Sequence, residues 1–299
     1  MSTRTAFFVL LGALLTSPLG AQQPTRDGPG PIPAGESLWT EELTWWEVRD
    51  KVAAGYTTII IGTGGVEQNG PFVAGGKHNY VLQTVLPYIA RAIPNSLIAP
   101  VVKFVPEGRI EPTGGGHMSY PGTVSLEAAT YEALITDIAR SYRTHGFKDI
   151  ILLGDSGGNG GGLRNVANAL NEKWIAENSP ARVHYLPEYY DEDRWSCAFL
   201  RTQGIVQVDS LATTPEGRES CKDTRNGMHD DIYYEAQIAV QSPTLIRLEQ
   251  RQRAGMMGLH GVAYPSAAWV QDVGRKLAEY RAGITAKAFQ ASQQRLRGM

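Results

Sequence analysis

The apolar positions of this chain follow two periods, one typical of helices and one typical of buried strands. Residues 40–54 carry an apolar stripe at helical spacing, which includes Leu43, Trp46 and Val52. A β-rich apolar run at 56–62 then predicts a buried strand. The same alternation continues along the chain, with further strands predicted at 96–105, 149–153 and 183–186 and further helices at 80–92, 131–144 and 164–178.

Strands that alternate with helices indicate an α/β fold. We therefore predict a three-layer α/β/α architecture, in which helices cover both faces of a mostly parallel sheet. Pro100 marks the second strand as an edge strand or a bulged one. Ser125 is the predicted cap of the helix at 131–144.

The first 37 residues have the pattern of a leader that precedes this fold. Arg4 comes before an apolar stretch at 6–15, and small residues then predict cleavage near Ala21. The apolar stretch is too short to span a bilayer. We expect an exported protein, periplasmic or secreted, with a signal peptide at 1–21, a Pro/Gly-rich segment at 22–37 and one α/β domain at 38–299. A buried first helix is the alternative interpretation of the apolar stretch.

Composition and charge narrow the classes of partner. The chain has 299 residues with a formal net charge of −2 and no basic cluster, which argues against nucleic acid. We also expect no membrane partner for the mature protein. In an oxidising compartment Cys197 and Cys221 could close a loop by a disulfide, and two free buried thiols are the alternative.

The segment at 58–79 carries the first candidate chemistry. Its apolar strand ends in a glycine turn, and Glu67, Asn69 and His78 follow in one loop system. A carboxylate and an imidazole just past the carboxyl end of a buried strand are what α/β enzymes use to build a site.

A second glycine loop follows the predicted strand at 149–153. Residues 154–158 (G-D-S-G-G) satisfy the G-x-S-x-G pattern of a nucleophile elbow, with Ser156 as the nucleophile. An acid, Asp193, and a histidine, His229 or His260, follow in the order that α/β-hydrolases use. The loop fits neither G-x-G-x-x-G nor a Walker motif, so it gives little support to nucleotide binding.

Four segments in order resemble the motifs of the creatininase (creatinine amidohydrolase) family over roughly residues 38–290. The first is G-T-G-G-V-E-Q-N-G-P-F-V-A-G-G-K-H, and the second ends in H-M-S-Y-P-G-T-V-S-L. The third is G-D-S-G-G-N and the fourth, a weaker match, begins at H-D-D-I-Y-Y-E. The resemblance implies the three-layer α/β/α fold and hydrolysis of a non-peptide or cyclic C–N amide bond in a small molecule.

The resemblance also implies a metal centre, although this chain departs from the family's ligand pattern. Glu67 keeps its ligand position, whereas Asn69 and Ser156 fall on histidines and His78 falls on a bridging aspartate. Because an imidazole cannot bridge two metals as a carboxylate does, we expect one divalent ion, Zn²⁺ or Mn²⁺. The candidate ligands are Glu67, His78, Asp155, Asp231 and Glu235.

A bound divalent ion would lower the pKa of its water to about 7 and polarise the substrate carbonyl. His229 matches the family's catalytic histidine and is expected to protonate the leaving nitrogen, while His117 is expected to orient the substrate or support a ligand. Two alternatives remain open, a non-catalytic binding protein of the same fold and a serine hydrolase that uses Ser156. The resemblance further implies a homo-oligomer, such as a hexamer.

Overall fold

The computed structural model describes residues 25–112, 115–206, 231–259 and 261–297. The described residues from Glu36 onward belong to one compact unit. Residues 25–35 belong to a separate unit and form turns and bends without helix or strand. Within the described ranges, no helix is both long enough and apolar enough to cross a membrane.

A four-stranded parallel sheet lies at the centre of the larger unit. Its strands are β1 (Thr58–Thr63), β2 (Ser96–Ile98), β3 (Asp149–Gly154) and β4 (Arg182–Tyr185), in the spatial order β2-β1-β3-β4. Every neighbouring pair in this sheet is parallel. A separate antiparallel pair joins β5 (Gly258–Leu259) to β6 (Val262–Ala263).

Helices flank the sheet on both faces. They are α1 (Trp45–Ala53), α2 (Lys77–Ala92), α3 (Ala128–Thr144), α4 (Asn159–Ala176), α5 (Glu192–Thr202), α6 (Ile232–Gln241), α7 (Leu248–Arg253) and α8 (Ala267–Arg297). Among the described residues, short 3₁₀ helices lie at Thr40–Glu42, Gly116–Ser119, Pro187–Tyr189 and Pro243–Ile246.

The alternation of side chains along the strands creates two cores. Ile60 and Ile151 point to one face, where they join the buried residues of α2, α6 and α8. Ile59 and Ile150 point to the other face, where they join the buried residues of α3 and α4. The predicted three-layer α/β/α fold is therefore confirmed.

Some element boundaries differ from those predicted. β2 ends at Ile98, two residues before Pro100; beyond it, Val102 forms an isolated parallel bridge with Thr63, and Val105 forms one with Ser125. Ser125 does not cap α3, because its hydroxyl accepts from the amide of Glu107 and donates to the carbonyl of Gly108. The residue at the N-cap of α3 is Glu127.

The strand order places a crevice where a site is expected. From β1 the chain passes through α2 to β2 on one side, and it then returns through α3 to β3 on the other side of β1. In open α/β sheets, ligands bind outside the carboxyl ends of the strands at such a switch point. The segments that follow β1 and β3 are those that carry Glu67 and Asp155.

Candidate active site

A cavity of about 350 Å³ opens beyond the carboxyl ends of β1 and β3. The loop after β1 contributes Glu67, the first turn of α2 contributes Lys77 and His78, and the loop after β3 contributes Ser156. Its remaining walls are formed by Glu107, Gly108, Gly116, His117, Gly157, Gly158, Tyr190, Asp231, Tyr233 and Tyr234. A cavity of this size, with a few converging polar groups, suits a small molecule.

Glu67 is the anion at the centre of this cluster. Its Oε1 lies 2.9 Å from Nε2 of His78 and 3.3 Å from Nζ of Lys77, and its Oε2 lies 3.0 Å from Nε2 of His117. Burial by itself would raise the pKa of this carboxyl. The hydrogen bond and charge of His78, together with Lys77 and His117, outweigh burial and hold the pKa well below its usual value. Glu67 is therefore ionised at neutral pH.

His78 connects two buried carboxylates. Its Nε2 contacts Glu67, and its Nδ1 lies 3.2 Å from Oδ1 of Asp155. Burial and the charge of Lys77 lower its pKa, but the two carboxylates prevail and raise it to about 9. Since both ring nitrogens then carry protons, His78 is an imidazolium that donates to both neighbours.

Asp155 is fully buried and has two further partners. The hydroxyl of Tyr189 donates to its Oδ2 at 2.7 Å, and Nη1 of Arg281 lies 3.5 Å from the same oxygen. Cations and anions therefore alternate through the interior in the order Lys77, Glu67, His78, Asp155 and Arg281. Such pairing is what permits charges at this depth.

A second carboxyl group, that of Glu107, lies in the same cavity. It is protonated at neutral pH, whereas Glu67 is ionised. Burial, and then the negative charge of Glu67, raise its pKa to about 8. The hydroxyl of Ser156 donates to Oε2 of Glu107 at 2.9 Å, its Oε1 is buried, and a hydrogen bond with the Glu67 carboxylate further favours the protonated form. A Cβ atom at residue 65 would collide with Oε1 of Glu107, so this close approach requires Gly65. Glu107 therefore presents a neutral carboxyl group at neutral pH.

His117 completes the polar wall and is the more exposed of the two histidines. Burial lowers its pKa, the charge of Glu67 opposes that shift, and the net change is downward. The imidazole is therefore largely neutral at pH 7. Its Nε2 faces the Glu67 carboxylate, so that nitrogen carries the proton and Nδ1 keeps the basic lone pair. The side-chain nitrogen of Gln68 lies 3.4 Å from Nδ1.

The structure brings most of the predicted site residues together. Glu67, His78, His117, Ser156 and Asp231 line the cavity, and Asp155 supports His78 from behind. His229 lies outside the described residues, so its role stays a prediction. The loop proposed between Cys197 and Cys221 also stays a prediction, because Cys221 lies outside them too.

Glu235 requires a correction, because it does not line the cavity. Both of its carboxylate oxygens accept from Nη1 of Arg251, at 2.9 and 2.7 Å, and the hydroxyl of Tyr264 donates to it at 2.6 Å. The three side chains form a buried ion-pair cluster. Glu235 lies on α6, Arg251 lies on α7, and Tyr264 directly follows β6. Glu235 is thus used to neutralise Arg251 and not to bind a ligand.

Two residues of the site, Lys77 and Glu107, are not among those predicted from the sequence. Lys77 stands directly before His78, and no sequence motif marks it, because an ammonium has no lone pair with which to bind a metal. Glu107 follows the segment that was predicted as the second strand, so a carboxylate past a strand end was the signal that could have revealed it.

The described residues do not fit the divalent ion that the sequence predicts. Both oxygens of Glu67 and both nitrogens of His78 already have charged or hydrogen-bonding partners within the chain, which an ion would have to displace. The Lys77 ammonium, 3.3 Å from Oε1 of Glu67, would repel a divalent ion bound to the same carboxylate. Within the described ranges, no group of three His, Cys, Asp or Glu side chains has an arrangement that could hold a metal.

Comparison with known sequences shows a relationship over most of the chain. The sequence model of the creatininase family, described as creatinine amidohydrolase, matches residues 41–295. A creatinine amidohydrolase from Pseudomonas putida is 30% identical over 118 residues, which make up 40% of this chain and 44% of that protein. The match thus spans less than half of that relative.

Comparison with solved structures shows the same fold. A creatinine amidohydrolase (creatininase) superimposes with a TM-score of 0.60 at 20% identity, covering 88% of this chain and 99% of its own. A structure described as "Creatininase Mn" superimposes with a TM-score of 0.59 at 18% identity, covering 87% of this chain and 99% of its own. Other matches include a Zn-Zn type and a complex with creatine, both of creatininase variants. At these identities the structures establish the fold alone.

Proposed function

The chain belongs to the creatininase family, and from this premise we propose that it is an amidohydrolase that cleaves a non-peptide or cyclic C–N amide bond in a small molecule. The relatives support the reaction class, since creatinine amidohydrolases act on such bonds. The cavity of about 350 Å³ supports a substrate of small size.

The observation that carries the proposal is that two buried carboxyl groups, Glu67 and Glu107, meet the imidazole of His117 in one cavity. Glu67 is held ionised by three cationic or polar neighbours, whereas Glu107 is held neutral, with a pKa of about 8. Two carboxyl groups held in opposite protonation states can take different roles in one site: ionised Glu67 orients His117, and protonated Glu107 keeps a proton that it can donate. Hydrolysis of an amide needs a base and an acid, because water must lose a proton and the leaving nitrogen must gain one.

His117 is the base in this scheme. The Glu67 carboxylate fixes the tautomer in which Nε2 carries the proton, and it stabilises the imidazolium that forms when Nδ1 accepts another. The contact between Nδ1 and Gln68 is 3.4 Å long, so water can take its place. Nδ1 removes a proton from that water as its oxygen attacks the substrate carbonyl carbon.

Glu107 is the acid. Its carboxyl group donates a proton to the leaving nitrogen as the C–N bond breaks, which yields a carboxylic acid product and a neutral amine. The Ser156 hydroxyl, which donates to Oε2, stabilises the Glu107 carboxylate that remains. Transfer of the proton from His117 to Glu107 through solvent then restores the starting state.

This assignment differs from the role predicted for His229, and the two are separable by mutation. If Glu107 is the acid, Glu107→Gln abolishes proton donation while the glutamine oxygen still accepts from Ser156. A His229→Gln variant with the larger loss of kcat would instead support the role expected from the resemblance.

The experiment is a screen of small cyclic and linear amides, with release of the amine as the readout. The wild-type protein is expected to hydrolyse at least one class, and Glu107→Gln to lose about 10²–10⁴-fold in kcat. Ser156→Ala should retain much of its activity, and Ser156 should resist a fluorophosphonate probe. Labelling of Ser156 would favour the serine hydrolase. Binding of amides without turnover would favour the non-catalytic alternative.

A further inference from the structure

Lys77 is buried at the N-terminus of a helix, a position that is unfavourable for a lysine unless neighbouring groups stabilise its positive charge. Its side chain is only 1% exposed, and it is the first residue of α2, where the helix dipole disfavours a cation. Its Nζ lies 3.3 Å from Oε1 of Glu67 and 4.1 Å from the centre of the Tyr234 ring. A carboxylate and an aromatic face are the two groups that stabilise a buried ammonium.

The position of that ammonium relative to the cavity is equally informative. Lys77, Glu67 and Tyr234 all line the cavity, so the charge lies beside the space that a substrate would occupy. The same carboxylate oxygen that contacts Lys77 also contacts His78, and its partner oxygen contacts His117. Glu67 thus already has its positive neighbours from the chain itself.

We propose that the Lys77 ammonium takes the place of a divalent ion in this site, so that the site binds no metal and Lys77 supplies the fixed positive charge. The first part of the proposal, that the site binds no metal, rests on the contacts of Glu67 and His78 alone. Its second part rests on the proposed function: the ammonium would polarise the substrate carbonyl and stabilise the oxyanion that forms when water attacks.

The residues that replace the family's metal ligands in this chain agree with the proposal that an ammonium takes the place of the ion. Asn69 is buried, and its amide donates to the carbonyls of Glu67 and Ala74, where it organises the loop. Ser156 is used by Glu107. The positions that depart from the family's pattern therefore have polar roles within the protein that do not require an ion.

The test measures metal content and stability before activity. We expect the purified full chain to contain substoichiometric Zn and Mn by elemental analysis, and its melting temperature to stay unchanged with added ZnCl₂, MnCl₂ or a chelator. A stoichiometric ion that survives dialysis and raises the melting temperature would overturn the inference.

A variant tests the charge itself. Lys77→Gln should lose at least about 100-fold in kcat, whereas Lys103→Gln, which alters an exposed lysine, should not. Lys77→Arg, which keeps the charge, should retain more activity than Lys77→Gln. Undiminished hydrolysis by a folded Lys77→Gln protein would overturn the second part. If the wild-type protein hydrolysed no amide, the proposed function would fail, and the metal measurement would still decide the first part.

Discussion

Nδ1 of His78 lies 3.2 Å from Oδ1 of Asp155, and this contact joins the first turn of α2 to the end of β3. Because Nε2 of the same ring contacts Glu67, one imidazole holds together the two loops that build the cavity. The ring does this best as a cation, which makes both the fold and the site sensitive to pH.

Stability should fall on the alkaline side of neutrality. The pKa of His78 is raised from 6.5 to about 9, so its contribution is fully present below pH 6.5 and is lost as pH rises through 9. The loss expected from His78 alone is roughly 3 kcal/mol in the free energy of unfolding, measured by denaturant titration between pH 6 and 10.

Two variants separate the groups that contribute to this slope. Glu107 acts in the same direction, since its raised pKa of about 8 makes folding less favourable as the carboxyl ionises. His78→Gln should remove the pH dependence of stability that extends up to about pH 9. Glu107→Gln should remove the pH dependence that ends near pH 8. An unchanged slope in His78→Gln would refute the assignment of His78 as an imidazolium.

Removal of the proposed base should reduce turnover strongly. We expect His117→Gln to lose about 10²–10⁴-fold in kcat, because Nδ1 no longer accepts the proton of water. In the wild type the acid limb of kcat/KM should lie below pH 6.5, since the pKa of His117 is lowered. His145→Gln changes an exposed histidine at the end of α3 and serves as the control. Equal activities of the two variants would exclude His117 as the base.

The ion pair of Glu235 should matter for stability and not for ligand binding. Glu235→Gln leaves the Arg251 charge buried without its counterion, at an expected cost of about 3–5 kcal/mol in unfolding free energy. Glu249→Gln, an exposed change on the neighbouring helix, should cost little. If Glu235→Gln melted like the wild type, the ion pair would have no such structural role.

We also propose that the chain is exported and cleaved after Ala21. When the full-length protein is expressed in a Gram-negative host, the periplasmic fraction should contain a chain whose first residue is Gln22. Leu10→Arg, which breaks the apolar stretch, should keep the protein in the cytoplasm with its leader attached. Periplasmic recovery of an uncleaved chain, or of none, would contradict this proposal.

The central layers of the fold could be predicted because their sequence pattern is local. Buried parallel strands read as continuous apolar runs; β1 lies within two residues and β3 within one residue of the predicted bounds. The long helix α8 was not predicted, because its buried face includes Arg281, Thr285 and Ser292, which interrupt an apolar stripe.

The site could be predicted only in part, for a different physical reason. The sequence identified Glu67, His78 and Asp155 as neighbours, since each follows the end of a central strand. It could not show that their charges satisfy one another, because that depends on distances of about 3 Å between residues far apart in the chain. The role of Lys77 became visible for the same reason only in three dimensions.

The pH dependence of amide hydrolysis by the wild type and by Glu107→Gln tests the central claim most directly. With the amide found in the screen, kcat/KM of the wild type should fall as pH rises through about 8, where the Glu107 carboxyl loses its proton. The Glu107→Gln protein should be about 10²–10⁴-fold slower and should lack that alkaline limb. A folded Glu107→Gln protein that kept both the rate and the limb would contradict the account.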